Sequence, residues 1–278
     1  MKQWWSVRTF SLVVLLHALT AVAGNYLGAQ SSVLATGSWF RVAVDKPGVY
    51  RIDFSSFRAM GFDPNNTDPR RIKIYTQGSG MLPQANNQDR KIDLQEIAIH
   101  IQGEQDGIFH QQDFILFYAE GADRISYDVQ KDIFRYEKHI YEKSNYYFIT
   151  VADSPGKRIG ESPNLSGNFP QVREYDAFTY HEIDRVNVLR SGRDWFGEAF
   201  ATSTELTLRF PVSGIVSGSP IKLVSAVMAS GFGTTRFDLF FNGVAAGQQV
   251  IAGIPNTQYG IKGRQVADTI SLNATQVL

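Results

Sequence analysis

The residues best suited to acid–base chemistry are His181 and Glu182, which are adjacent in the chain. A histidine changes its charge near neutral pH and a carboxylate can orient it, so such a pair could form half of a proton-transfer site. On a strand, however, adjacent side chains point to opposite faces and would not cooperate directly. The pattern therefore favours a structural role for this pair over a catalytic one.

Composition excludes a thiolate nucleophile, because the 278 residues include no cysteine. The sequence also lacks a Gly-x-Ser-x-Gly elbow, a His-Glu-x-x-His motif, a phosphate-binding loop and a dinucleotide fingerprint. We therefore predict no catalytic residue and no cofactor site in this chain.

Two groups of residues could be considered as metal ligands. Loop 63–68 offers side-chain oxygens from Asp63, Asn65 and Asp68, but their spacing does not match a known calcium loop and the distal bidentate Glu is missing. A solvated turn is favoured there, with calcium as the alternative. The histidines beyond residue 29 do not have the spacing of a zinc site, so no metal is expected at them: His100, His110, His139 and His181.

The first 29 residues have the order of a secretory signal peptide. Lys2 and Arg8 precede an apolar run over residues 10–23, and small residues follow it, so cleavage after Ala23 or, as we prefer, after Ala29 is expected. Removal of this segment leaves 25 basic and 27 acidic residues, because it carries two of the 27 Lys and Arg and none of the 27 Asp and Glu. This balance argues against a nucleic-acid partner, and no transmembrane helix is expected after signal removal.

Short alternating runs separated by turn residues predict an all-β fold with at most short helices. We expect two consecutive β-sandwich or jelly-roll-like units. The predicted limits are a first β domain over residues 30–155, a Gly-, Pro-, Ser- and Asn-rich linker over 156–173, and a second domain over 174–278 that is incomplete at its C-terminus.

Local signals near the start of the first domain predict particular elements. A hairpin is expected to join strands 38–45 and 49–53 through the Lys-Pro-Gly turn at 46–48. A short helix over 54–60 should end at Gly61, which can adopt the left-handed cap.

Further along the chain, residues 96–102 read as one strand with His100 on its solvent face. Residues 204–210 read as a strand with Leu206, Leu208 and Phe210 facing inward. Asn242-Gly243 is the sequence of a tight hairpin turn.

Residues 124–143 combine aromatic and charged side chains. A hairpin with one packed side explains this mixture, and a face that stacks on carbohydrate or on single-stranded nucleic acid is the alternative. Farther on, the pair Trp195-Phe196 lies between Gly192 and Gly197. Because glycines let the backbone turn sharply on both sides of a large apolar anchor, we expect Trp195 to be buried where the two β units meet.

A His-Glu pair followed by a Ser-Gly-Arg-Asp-Trp-Phe-Gly-Glu octet carries a resemblance to a known family. The segment resembles the amino-terminal region of the type IX secretion system sortases, which are gingipain-type cysteine peptidases. Other stretches extend the resemblance over most of residues 34–241, among them 39–53, 80–83, 106–118 and 156–159. The motif residues are His181, Glu182, Ser191, Gly192, Arg193, Trp195, Phe196, Gly197 and Glu198.

The resemblance implies a non-catalytic region, exported to the surface of a Gram-negative bacterium. In the family this region precedes a peptidase domain with a His-Cys dyad, which removes the C-terminal sorting signal of secreted cargo and attaches the cargo to anionic lipopolysaccharide. Outer-membrane components of type IX secretion and secreted cargo are the implied partners. No position here matches the dyad. The alternative is a stand-alone exported β-sandwich module that binds glycan or protein in adhesion.

Overall fold

The computed structural model describes residues 31–162, 166–188, 190, 195–201 and 203–274. Across these residues the chain forms thirteen β-strands and one short α-helix, together with brief 3-10 turns. The predicted all-β fold is confirmed. None of the helices in the described ranges has the length and apolar character needed to cross a membrane. The predicted signal peptide lies outside the described residues.

The first compact unit contains residues 31–78, 83–119 and 146–160. Two sheets build it, one with strand order β1-β9-β3-β4 and one with strand order β2-β6-β5. Their strands are β1 (Trp39–Val44), β2 (Gly48–Asp53), β3 (Ile72–Thr76), β4 (Gln95–Ile97), β5 (His100–Gln102), β6 (Phe114–Ala119) and β9 (Asn145–Val151).

Both sheets of the first unit contribute side chains to one buried cluster. Ile74 and Ile149 come from the four-stranded sheet, and Ile52 and Ile115 come from the three-stranded sheet. All four are almost completely buried. Since burying an aliphatic side chain of this size contributes about 1.5–3 kcal/mol, this shared core can hold the sheets together without a disulfide.

The helix α1 (Phe54–Ala59) forms where the sequence predicts it. Asp53 caps its N-terminus and accepts a hydrogen bond of 2.8 Å from the backbone N–H of Ser56. Gly61 follows its end with a φ of 93°, the left-handed conformation that glycine adopts without strain. The helix buries Phe57, whose ring stacks on Phe62 with centroids 4.7 Å apart.

The predicted hairpin of the first two strands is wrong, although both strands exist. Strand β1 lies beside β9, whereas β2 pairs with β6 in the other sheet. The turn at 46–48 therefore carries the chain from one sheet to the other. A turn sequence shows that the chain changes direction but does not identify the strand beside which it continues.

The single strand expected over 96–102 is also wrong, because it is divided into β4 and β5 in different sheets. Between them, Ile99 is completely buried and pairs with the segment around Arg158. Its N–H donates to the Lys157 carbonyl at 3.2 Å, and its carbonyl accepts from the N–H of Ile159 at 3.0 Å. His100 is exposed, as predicted.

Residues 156–160, at the start of the predicted linker, have their contacts within the first unit. A Cβ atom on Gly156 would lie 2.5 Å from the carbonyl oxygen of Ile72, so only glycine fits without a shift of the backbone. The Arg158 guanidinium donates to the carbonyl of Pro69 at 2.9 Å and to the carboxylate of Glu104 at 2.7 Å.

The second compact unit contains residues 79–82, 120–145 and the described part of 161–274. It includes a hairpin that lies within the predicted first domain of 30–155, so the contacts divide the chain differently from the predicted limits. Three antiparallel pairs build the unit. They are β7 (Arg124–Asp128) with β8 (Ile133–Glu137), β10 (Pro220–Ala229) with β13 (Arg264–Asn273), and β11 (Thr235–Phe241) with β12 (Val244–Ile251).

A buried glutamine joins two of these pairs. Gln249 on β12 is almost completely buried and accepts a hydrogen bond of 2.8 Å from the Ser225 hydroxyl on β10. Its amide donates to the Ser225 carbonyl at 3.0 Å and to the Asp268 carboxylate on β13 at 3.1 Å. The polar groups of Gln249 are therefore satisfied, as burial requires.

The Asn242-Gly243 turn is confirmed, with φ values of 49° and 81° between the paired residues Phe241 and Val244. The strand predicted over 204–210 is wrong, because the described part of this segment has no strand structure. Leu206 and Leu208 are exposed. Alternation makes a segment able to join a sheet, but a strand forms only where a neighbouring strand offers its hydrogen bonds.

The substitution Phe57→Ala is expected to lower the free energy of unfolding of the first unit by about 3–5 kcal/mol, because it empties a fully buried aromatic site. Urea denaturation followed by circular dichroism measures the loss. Tyr118→Ala is the control, since Tyr118 lies on β6 but is exposed, and we expect a change within about 0.5 kcal/mol. Equal effects of the two substitutions would contradict this account of the core.

The cap of α1 should give the stability of the first unit a pH dependence. Hydrogen bonds from Ser56 and Ser55 lower the pKa of Asp53 from 3.8 to about 2. A lowered pKa in the folded state stabilises the fold above the unfolded pKa, and this stabilisation is lost as the pH falls through the folded value. The stability deficit of Asp53→Asn should therefore be largest above pH 4 and should shrink between pH 4 and pH 2. Denaturation midpoints over this range test it, with the exposed Asp89→Asn as control, and a deficit that persists at pH 2 would contradict the charge-based explanation.

Candidate functional site

The two ends of the motif segment 181–198 are held together in the second unit. The ring Nε2 of His181 lies 2.9 Å from the carboxylate Oε1 of Glu198. The backbone of Val186 and Phe196 forms an antiparallel bridge, with N–H to oxygen hydrogen bonds of 2.9 and 2.8 Å. These contacts join residue 186 to residue 196, and we call the stretch of sequence between them, 187–195, the motif loop.

Gly197 allows the close approach of the two ends. A Cβ atom at this position would lie 3.1 Å from the Cγ1 atom of Ile183 and 3.3 Å from the Ile183 carbonyl oxygen. The glycine of the motif therefore has a packing role beside the bridge, since a side chain would force Ile183 to move.

The structure brings His181 together with Glu198 and not with its neighbour Glu182. Burial raises the pKa of Glu182, and the nearby carboxylates of Asp184 and Asp123 raise it further. Partial burial opposes ionisation of Glu198, but hydrogen bonds from His181 and from the backbone, together with the nearby charges of His181 and Arg185, outweigh it, so the pKa of Glu198 is lowered. His181 and Glu198 thus form a hydrogen-bonded pair that joins the two ends of the motif segment.

The remaining motif residues divide into two sets. Ser191, Gly192 and Arg193 lie outside the described residues. Trp195 is 42% exposed, so the prediction of a buried Trp195 is wrong. Successive side chains on extended backbone point in opposite directions. When Phe196 takes the half-buried position at the bridge, Trp195 is left facing solvent.

Five aromatic rings form a continuous row in the second unit, which we call the aromatic row. The hairpin β7–β8 supplies three of them and the extended segment before the motif loop supplies two. The ring centroids are 5.2 Å apart for Tyr127 and Phe134, 5.4 Å for Phe134 and Phe178, 5.7 Å for Phe178 and Tyr180, and 3.7 Å for Tyr180 and Tyr136.

Sequence analysis identified the hairpin as a possible aromatic face but missed its partners. Phe178 and Tyr180 are two residues apart, which places them on one side of an extended chain. This two-residue spacing is the sequence feature that could have predicted that the two rings share one side of the chain. Their pairing with a hairpin more than 40 positions earlier depends on the tertiary structure.

Carboxylates lie at both ends of the aromatic row. Asp123 accepts hydrogen bonds from the Tyr136 hydroxyl at 2.5 Å and from the N–H of His139 at 2.8 Å. Asp132 accepts from the Tyr127 hydroxyl and from the Lys222 ammonium group. Burial and the bond to Asp123 raise the pKa of Tyr136, and the bond to Asp132 raises that of Tyr127. Both hydroxyls therefore stay protonated at neutral pH.

The loop considered as a calcium site uses its oxygens locally. Asp63 accepts a hydrogen bond from the N–H of Asn65 at 3.1 Å, and Asp68 binds the Arg70 guanidinium at 2.8 Å. Over the part of the chain that the structure describes, no group of three or more His, Asp or Glu side chains is arranged to hold a metal.

Comparison with known proteins finds a similarity among solved structures, but none to family models or curated sequences. No protein-family model and no curated protein sequence matches the chain. Among solved structures, the crystal structure of dimeric latent PorU from Porphyromonas gingivalis is similar, with a TM-score of 0.64 and 24% sequence identity. The chain has a PorU-like fold.

The likeness to PorU covers 87% of this chain and 22% of the PorU chain, so the sequence spans about a fifth of that protein's length. It confirms the predicted resemblance at the level of the fold. The PorU-like fold includes both β units, because 87% exceeds the share that either unit occupies.

A double-mutant cycle should detect the hydrogen bond between His181 and Glu198 that joins the two ends of the motif segment. We expect His181→Ala and Glu198→Gln to be coupled by about 0.2–1 kcal/mol in the free energy of unfolding at neutral pH, as is usual for partly exposed pairs. The matched control is the cycle of His181→Ala with Glu182→Gln, for which a smaller coupling is expected. A larger coupling with Glu182 would show that the adjacent carboxylate is the partner in solution.

Proposed function

We propose that this chain is a non-catalytic β region of a type IX secretion sortase-like protein, exported to the surface of a Gram-negative bacterium. The observation that carries the proposal is the PorU-like fold, which extends over most of the chain. The motif residues support it, because His181, Phe196, Gly197 and Glu198 bring the two ends of the motif segment together and so have a physical reason to occur together.

The proposed region contributes structure and contact surface instead of a reacting group. Peptide cleavage by a cysteine peptidase needs a thiolate beside a histidine, and the 278 residues contain no cysteine. His181 is held by Glu198 in a partly exposed pair. In this proposal, outer-membrane components of type IX secretion and secreted cargo are the partners that meet the region.

Removal of the sorting signal would belong to a His-Cys peptidase domain, which the family has and these residues do not supply. The β units would hold such a domain, or its cargo, in position. Binding energy from a region remote from the chemistry can raise the rate in this way, because it orients the reacting groups.

The proposal predicts that residues 30–278 do not cleave peptides that carry a type IX sorting signal. Purified protein is incubated with such peptides and the products are measured by mass spectrometry. A chain extended through any His-Cys domain that the same gene encodes should cleave them. Turnover by residues 30–278 that is abolished by a substitution within them, such as His181→Ala, would overturn the assignment as non-catalytic.

The cellular part of the proposal has its own measurement. Protease treatment of intact cells should release peptides from residues 30–278, and the mature protein should begin near Gln30. Intact Met1 in protein that external protease does not reach would contradict export.

A further inference from the structure

We propose that the aromatic row is a binding platform for a neutral glycan. It consists of Tyr127, Phe134, Phe178, Tyr180 and Tyr136, in the order in which their rings touch. The proposal is independent of the sortase-like assignment, because all five rings belong to the second unit and no peptidase group takes part.

The aromatic row lies at the surface of the unit. Tyr127 is 46% exposed and Tyr180 is 48% exposed, and the other three rings keep part of their area in water. On the same face of the hairpin, Ile125 stands opposite Tyr136 and is also exposed. Contiguous exposed apolar area of this kind marks interaction sites more often than single exposed residues do.

The rings are held in place before any ligand arrives. Tyr180 stacks on Tyr136 with an angle of 17° between the ring planes, and the hydroxyls of Tyr136 and Tyr127 are fixed by Asp123 and Asp132. A rigid aromatic surface loses little conformational entropy on binding. The row is therefore preorganised as a platform.

The chemistry of the row fits a sugar chain. The face of an aromatic ring carries partial negative charge, which attracts the polarised C–H groups on the face of a pyranose ring. The side chain of Asp132 is mostly exposed beside Tyr127 and can accept hydrogen bonds from hydroxyl groups. A row of rings with acceptors at its ends thus matches a ligand that has both apolar faces and hydroxyls.

Charge around the row selects for a neutral glycan over an anionic one. Lys138 binds Asp184 at 2.8 Å and Lys222 binds Asp132 at 2.5 Å, so both ammonium groups are already neutralised. Further carboxylates remain near the row. An anionic polysaccharide, a phosphate-rich surface or a nucleic acid would meet net negative charge here. The carboxylates outside these two ion pairs are Asp123, Asp176 and Glu182.

Binding to neutral oligosaccharides tests the proposal with the purified chain. Hexasaccharides of glucose, mannose, xylose and N-acetylglucosamine are titrated by isothermal calorimetry, with oligogalacturonate as the anionic probe. We expect saturable binding of at least one neutral hexasaccharide and much weaker binding of oligogalacturonate. The double substitution Tyr127→Ala and Tyr180→Ala should weaken binding at least about tenfold, which corresponds to ~1.4 kcal/mol.

Two controls separate the row from other effects. Tyr175→Ala removes an 87% exposed tyrosine of the same unit that lies outside the row, and it should leave the affinity unchanged. Tyr127→Phe with Tyr180→Phe keeps both rings and should retain most of the binding while folding normally. Unchanged denaturation midpoints show that each variant is folded.

Three outcomes would overturn the proposal. They are no binding of any neutral hexasaccharide by the intact chain, equal binding of oligogalacturonate, and unchanged affinity in the folded double alanine variant. A leucine-rich peptide that binds the intact chain and loses affinity in the double variant, when no sugar binds, would assign the row to a protein ligand instead.

Discussion

The first unit depends on the contacts that Arg158 makes, close to the unit's last residue. The guanidinium contacts the Glu104 carboxylate and the carbonyls of Pro69 and Ile72, which lie more than 50 positions earlier in the sequence. The Arg158 side chain is only about one-fifth exposed, so little water could replace it. Loss of the arginine would therefore leave these acceptors without their donor. Gly156 lies against the Ile72 carbonyl, so the backbone approaches closely enough for Arg158 to reach it. The chain has no cysteine, so contacts of this kind link its distant segments where other proteins use disulfides.

Sequence analysis succeeded where a few neighbouring residues determine the structure. The short helix after Asp53, the left-handed Gly61 and the Asn242-Gly243 turn each depend on local dihedral preferences and local hydrogen bonds. It failed where two distant segments must meet. The partner of β1, the division of 96–102 at Ile99 and the lack of a strand at 204–210 are all questions of long-range pairing. Alternation predicts that a segment can be a strand, but it does not predict the neighbour.

The same distinction applies to the candidate site. Residue types pointed to the motif and to the aromatic hairpin, yet they gave the wrong environment for Trp195 and no partner for His181. The pairing of His181 with Glu198 spans 17 positions and follows from the backbone bridge between them. Glycine at 197 could be interpreted only after Ile183 was seen against it.

The motif segment 181–198 and the aromatic row are joined by one peptide bond. His181 directly follows Tyr180, so the hydrogen bond to Glu198 restrains the backbone that carries this ring of the row. Lys138 and Asp184 add a second restraint between the same segment and the hairpin. His181 and Glu198 of the motif bond to each other, and Tyr127 and Tyr180 of the row are left exposed. The motif thus acts as a support, and the surface available for recognition is the row that it holds in place.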